Sequence, residues 1–358
     1  MIQNNQAIPF NKENFKQIFS IPFISVIIIS IPSALIAEYF NIPLAWFLGP
    51  MLITSLASLM GLKTKMPRLV LSSILIILGL YIGNYIDKNL FNQMQDWIWT
   101  SFIMLIYIIL SVLIVSKYLE RFSKYERETS IFSAAPGALG PLMILAEDAK
   151  TDLSQVATSH LIRLIIIITV FPFIVNSFYD VDNVNISEKV ITNQNLSHLI
   201  ILIISSVILI LFFEKMKVPA ALLTGTLVAS GFLQITEVAS YQISPDIIDY
   251  CLLILGSSVG CRFADKTFSE IGKNALHSFV ATFLLVVLGI AAAVVAGLVI
   301  DKNFFTLLLS YCPGGIYEVA VIAIFFDLDP EFVSFHHIIR LLMILFIVPI
   351  ILKFLKKT

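Results

Sequence analysis

Charged side chains are scarce: Asp, Glu, Lys and Arg make up 13% of the 358 residues, against about 25% in soluble domains. Too little polar surface remains to coat a globule of this size in water. No basic block or acidic tail stands out, so the formal net charge of −1 carries no sign of a nucleic-acid partner. The three cysteines (Cys251, Cys261, Cys312) lie in apolar runs without CxxC spacing, so neither a disulfide framework nor a thiolate zinc site is expected. The polar opening, MIQNNQAIPFNKENFKQ, leads into an apolar run that lacks a small-residue cleavage site, which predicts a retained first span. There are only five histidines and no HxxxH or two-His-one-carboxylate spacing; no metal site and no cofactor are expected.

What is present is hydrocarbon: 58% of residues are apolar and the mean hydropathy is +0.93. Crossing about 30 Å of bilayer takes roughly 20 helical residues. Such runs lie near 18–38, 43–62, 69–86, 97–118 and 153–177, and again near 195–214, 219–236, 246–263, 274–300 and 331–355. Between the fourth and fifth run of each set is a shorter segment, 130–147 or 304–326, carrying APGALGP or CPGGIYE. Proline removes a donor and glycine loosens the backbone, so a helix through Pro136, Gly137 and Gly140, or through Pro313, Gly314 and Gly315, should break. Either a kinked spanning helix or a re-entrant element fits, and the cations favour the second. Short cytoplasmic loops gather Lys and Arg. If 130–147 dips and returns, Lys12 and Lys16, Lys63 to Arg68, Lys117 to Arg127, Lys215 and Lys217, Arg262 to Lys273, and Lys353 to Lys357 all fall inside. The acidic connector with Asp180, Asp182 and Glu188 then falls outside, and both termini are cytoplasmic.

The chain is a duplication. At an offset of 177, Pro136-Gly137 meets Pro313-Gly314, Asp152 meets Asp329, His160 meets His337, Arg163 meets Arg340 and Pro172 meets Pro349. Gly79 and Gly83 meet Gly256 and Gly260 at the same offset; with one residue less, Pro43 meets Pro219 and Gly49 meets Gly225. The expected organisation is a cytoplasmic tail at 1–17, a first membrane repeat at 18–178, a linker at 179–194 and a second repeat at 195–358. The fold class is an all-α integral membrane protein of two inverted repeats, each with about five transmembrane helices and one broken or re-entrant element.

A P-G-G-[apolar]-x-E turn, an acid about a dozen residues on, then an apolar helix with an arginine, all present twice, resembles the membrane AbrB family, also named AbrB duplication protein or ammonia monooxygenase. The resemblance runs from about Ile31 to Leu355, and the duplicated PG…R block is its most specific part. It implies a multi-pass inner-membrane protein of a bacterium linked to regulation of gene expression. This chain departs from the pattern at Pro141, which stands where the second repeat has Glu318.

Arg163 and Arg340 stand about ten residues into their spans, near mid-membrane. A charge there costs about 2.5–3.5 kcal/mol on insertion scales and needs a compensating surrounding. His160 and His337, three residues earlier, share the arginine faces. Two roles fit the guanidinium groups: tying down free carbonyls of the broken segment, or contacting substrate. Glu318, just past the second break, is the acid best placed to pair with an arginine or exchange a proton. Asp152 and Asp329 are placed as helix N-caps, the glycine pairs as close helix contacts, and Trp97 and Trp99 as interfacial anchors.

Three functions follow. Inverted repeats, broken elements and midplane charge match a carrier or channel for a small polar or anionic solute or ion, with Arg163, Arg340, His160, His337 and Glu318 as binding or coupling residues. The family name suggests a membrane regulator acting indirectly, since no cytoplasmic piece has the length or basic stripe for direct DNA binding. A metal oxygenase lacks converging imidazoles, with His198 and His277 near span ends, so no enzyme activity is expected. Lipid and solute are the expected partners; a homo-oligomer is compatible with each reading.

Overall fold

The computed structural model describes residues 12–86, 90–137, 139–178, 196–239, 241 and 243–355, and every regular element among them is a helix. In chain order these are α1 (Lys12–Ile18), α2 (Ile21–Tyr39), α3 (Ala45–Leu59), α4 (Arg68–Gly83), α5 (Leu90–Tyr118) running into a π-helical turn (Leu119–Ser123), α6 (Arg127–Ala134), α7 (Leu139–Asp148) and α8 (Leu153–Phe178). Then come α9 (Leu196–Lys215), α10 (Ala221–Ile235), α11 (Pro245–Cys261), α12 (Phe268–Gly297), α13 (Phe304–Tyr311), α14 (Ile316–Phe325) and α15 (Pro330–Leu355). Residues 1–11 of the expected tail, the expected linker at 179–194 with its acids, and Lys356 and Lys357 lie outside the described residues.

Among the described residues, six helices are long and apolar enough to cross a bilayer: α2, α5, α8, α9, α12 and α15. Large apolar side chains on them face outward, including Ile28, Phe102, Ile204, Ile208, Phe283 and Phe346. In water that surface would be a liability; against acyl chains it is the required finish. The chain is a membrane protein. Four of the expected spans are shorter than 18 residues: α3, α4, α10 and α11 have 15, 16, 15 and 17, or about 22–26 Å of rise. The reason for α3 and α10 is local. Each begins after a left-handed residue, Leu44 (φ 53°) or Ala220 (φ 56°), and is closed by another, Gly61 (φ 92°) or Glu237 (φ 57°).

Those conformations come in pairs. Asn41 (φ 52°) matches Lys217 (φ 57°), and Lys150 (φ 58°) matches Asp327 (φ 50°), at the offsets that align the sequence. Helix bounds repeat as well: α6 with α13, α7 with α14 and α8 with α15 are displaced by 177 residues at both ends. A non-glycine residue at positive φ is costly, so its recurrence in both halves marks a shared backbone plan.

The chain forms two compact units, each taking equivalent helices from both halves. Unit 1 comprises residues 1–90 and 180–267; unit 2 comprises 91–179 and 268–358. In unit 1, α4 packs on α10 and α11 packs on α3, the same pairing with the halves exchanged. The glycine pairs make these contacts possible. A Cβ on Gly83 would meet the Leu227 carbonyl oxygen at 2.7 Å, and one on Gly260 would meet the Ser55 amide nitrogen at 2.8 Å. Small residues let the backbones touch where lipid offers no hydrophobic drive for association.

In unit 2, α8 packs on α6, α7 and α12, while α15 packs on α13 and α14. Trp97 is not an interfacial anchor: it is 3% exposed, packed edge-on to Phe332 at 5.2 Å and tilted on Phe335 at 4.9 Å. Trp99, two residues on, points outward at 62% exposure. Hydropathy places both near one end of a helix; only the neighbours of α5 decide which one is covered.

Candidate functional site

The site in unit 2 starts from two prolines. A residue before proline is pushed out of the helical region, and Ala135 (φ −60°, ψ 124°) and Cys312 (φ −59°, ψ 131°) are both extended, ending α6 and α13. Each proline then sits inside a three-residue turn. Gly137 N–H donates to the Ala135 carbonyl at 3.0 Å, and Gly314 N–H to the Cys312 carbonyl at 2.8 Å. The chain resumes as α7 and α14. Gly140 lies within the first turn of α7 rather than in the break.

A helix interrupted inside hydrocarbon leaves carbonyls that need donors. The arginines supply them. Arg163 Nη1 donates to the Ala135 carbonyl at 2.7 Å, and its Nη2 to the Ser133 carbonyl. Arg340 Nη1 donates to the Cys312 carbonyl, and its Nη2 to the Gly314 carbonyl at 2.6 Å. Both side chains are buried, 3% and 2% exposed, and each stands ten residues past the first residue of its helix, α8 or α15. A guanidinium at the carbonyl end of a helix also meets the negative end of its dipole. The carbonyl tie is therefore formed in both halves, and it leaves the Nε–H of Arg163 and of Arg340 without a hydrogen-bond partner.

The two breaks lie against each other's helix. A Cβ on Gly137 would meet Ile344 Cδ1 at 2.8 Å, one turn beyond Arg340; a Cβ on Gly314 would meet Ile167 Cγ2 at 3.4 Å, one turn beyond Arg163. Tyr107 on α5 is within electrostatic reach of both guanidinium groups, and its ring is edge-on to that of Tyr311 at 6.1 Å. Tyr311 Oη donates to the Thr100 carbonyl at 2.7 Å. Neither tyrosine was expected at the site. The signal available was a phenol in apolar sequence, which needs a partner for its hydroxyl when buried, and Tyr311 directly precedes Cys312-Pro313.

The histidines divide. His337 Nε2 is 2.9 Å from the Leu309 carbonyl and its Nδ1 is 3.0 Å from Arg340 Nη2; only the Nε2–H tautomer satisfies both contacts. His336 bridges Thr100 Oγ1 at 2.8 Å and the Phe332 carbonyl at 2.9 Å. Both ring nitrogens of the buried His160 are without a partner. His277 Nδ1 is 3.3 Å from Tyr118 Oη, while His198 is half-buried near the start of α9.

Glu318 occupies the first turn of α14 and is 1% exposed. Its carboxylate lies over Gly315, whose missing Cβ would clash with Oε2 and Cδ. Only glycine admits a carboxylate folded back on the helix start, where the dipole favours negative charge.

The two aspartates part company. Asp152 caps α8, its carboxylate accepting from the Ser154 N–H at 3.0 Å and the Gln155 N–H at 3.1 Å. Asp329 is held in a left-handed conformation (φ 42°) rather than the extended one of an N-cap, and its carboxylate is drawn to Lys302 Nζ at 2.9 Å and Thr306 Oγ1 at 3.2 Å. Burial, and then the charge of Asp329, raise the carboxyl pKa of Asp327 in the turn before it. We expect Asp152→Ala to cost about 1 kcal/mol, read as a lowered unfolding midpoint in detergent; an unchanged midpoint would show that the cap is replaced by water.

Among known proteins, the family model described as transition state regulatory protein AbrB matches residues 46–356. A protein of Escherichia coli (strain K12) named "Putative regulator AbrB" is 22% identical over 320 residues, 88% of this chain and 91% of that one. "Uncharacterized protein YhjN" of Bacillus subtilis (strain 168) is 22% identical over 290 residues, 76% of this chain and 75% of that one. No solved structure matches the chain.

Proposed function

The chain belongs to the AbrB family, and from that premise we propose that it is a carrier of a small polar or anionic solute, built as two inverted repeats in the cytoplasmic membrane of a bacterium. The observation that carries this reading is the crossed pair of helix breaks. Each is held by a buried arginine, and each touches the helix that bears the other arginine. Interrupted backbone at membrane depth is tolerated where it lines a cavity or is satisfied by protein, and carriers use such breaks to meet solutes. The unpartnered Nε–H of Arg163 supplies a donor toward an anion. The loop cations support cytoplasmic termini. No enzyme activity is part of this reading: the ring nitrogens of His336 and His337 are engaged by Thr100, Phe332, Leu309 and Arg340, which leaves them poorly placed as metal ligands.

The test is counterflow in proteoliposomes with radiolabelled acetate, lactate, phosphate and sulfate. We expect saturable exchange of at least one. Properly folded protein that exchanges none of them counts against a carrier. The family description and the E. coli relative's name favour a second reading, a membrane regulator acting through a partner; a stoichiometric soluble protein co-purifying with a flux-inactive chain would favour it.

A further inference from the structure

The duplication supplies an internal comparison, because His160, Ser133 and Arg163 at the first break each have a counterpart of the same type, His337, Ser310 and Arg340, at the second. His337 spends both ring nitrogens, on the Leu309 carbonyl and on Arg340. His160, 177 residues earlier and also three residues before an arginine, is 5% exposed with both nitrogens unpartnered. Ser310 Oγ donates to the Thr306 carbonyl at 2.8 Å. Its counterpart Ser133 is fully buried with its Oγ unpartnered.

The backbone reason lies in the arginine forks. Arg340 spans Cys312 and Gly314, and the same Nη2 meets His337. Arg163 keeps the equivalent carbonyl, Ala135, on Nη1, but its Nη2 takes Ser133 in place of the carbonyl equivalent to Gly314, and its fork does not engage His160. Leaving a buried imidazole and a buried hydroxyl unpaired is costly, and such groups in a native fold call for an explanation. Packing does not provide one, since the histidine and serine at the equivalent positions of the other break are satisfied.

We propose that, in the carrier reading above on which this rests, the solute is held at the first break alone. His160, Ser133 Oγ and the Arg163 Nε–H contact it, while His337 and Ser310 are structural. An imidazole N–H, a hydroxyl and a guanidinium N–H around one cation form a donor set. That set suits a group presenting several acceptor oxygens at one end, a small oxyanion such as a carboxylate or phosphate.

The experiment uses the purified full chain in detergent, with acetate, inorganic phosphate and chloride as probes and the melting temperature as readout. Acetate or phosphate, but not chloride, raises the wild-type midpoint saturably. His160→Phe and Ser133→Ala keep the ligand-free midpoint, because no protein hydrogen bond is lost, and weaken the probe at least about tenfold, the loss of one good contact. His337→Phe lowers the ligand-free midpoint by about 3 °C or more and still responds to the probe. The proposal is overturned if His160→Phe destabilises as much as His337→Phe, if the probe response survives in both first-break variants, or if neither oxyanion stabilises the wild type. The carrier reading fails separately. Binding that depends on His160 without exchange in proteoliposomes removes the carrier and keeps the site; exchange undiminished in His160→Phe keeps the carrier and removes the site.

Discussion

Arg340→Met is expected to cost about 3–5 kcal/mol of stability, the range for removing one partner of a buried charged contact. Three acceptors depend on the guanidinium: the Cys312 and Gly314 carbonyls and His337 Nδ1. A buried polar group left unsatisfied costs about 1–3 kcal/mol. Against this, methionine returns the desolvation that burying the charge required, which keeps the total below the simple sum. Arg163→Met removes donors from two carbonyls but none from His160, so its loss should be smaller by about 1 kcal/mol. Arg340→Lys keeps the charge without the planar fork and falls between the two. Denaturant unfolding in detergent, followed by the fluorescence of the buried Trp97, measures all three. Equal stability of wild type and Arg340→Met would mean that the second break is satisfied without its arginine. The stability loss also makes Arg340 a poor probe of solute contact, since lost flux would follow from a collapsed break.

The second large effect is in unit 1. Gly256→Leu should drive α11 off α3, because a Cβ at 256 meets the Phe47 carbonyl oxygen at clash distance and its carbon at 3.1 Å. The obstacle is backbone, so no rotamer relieves it and the helices must separate. Overpacking a well-packed core typically costs about 1–3 kcal/mol, and a leucine here belongs at the upper end. Its counterpart Gly79→Leu meets the Leu223 carbonyl at 2.5 Å and should behave alike in the exchanged pair of helices. Gly272→Ala is the control: a Cβ there meets nothing within 4 Å, and alanine in a helix gains about 1 kcal/mol over glycine. Folded yield and the melting temperature decide. If Gly256→Leu and Gly272→Ala behave alike, close backbone contact is not what holds α3 to α11.

Both effects turn on contacts that residue spacing anticipates only in kind. The glycine pairs were readable as places for close approach, but not the reciprocity by which α4 meets α10 while α11 meets α3. Asp152 was readable as a cap because its partners lie two and three residues on. Asp329 was misread because its partners, Lys302 and Thr306, lie 27 and 23 residues back. Trp97 was misread for the same kind of reason: hydropathy along α5 cannot say that Phe332 and Phe335 cover one tryptophan and not the other.

Sequence alone determined the all-helical membrane class, the duplication at 177 residues, and the interruption of α6–α7 and α13–α14. Those properties rest on interactions within a few residues: hydrocarbon run length, the lost N–H of proline, and the extended backbone imposed on the residue before it. Tertiary structure decided what the arginines hold, and it made His160 and His337 unlike. The same His–x–x–Arg spacing occurs at both sites, but a hydrogen bond across 28 residues of chain exists only once one helix is seated against another, and a change in the carbonyl partner of Nη2 changes which nitrogens are paired.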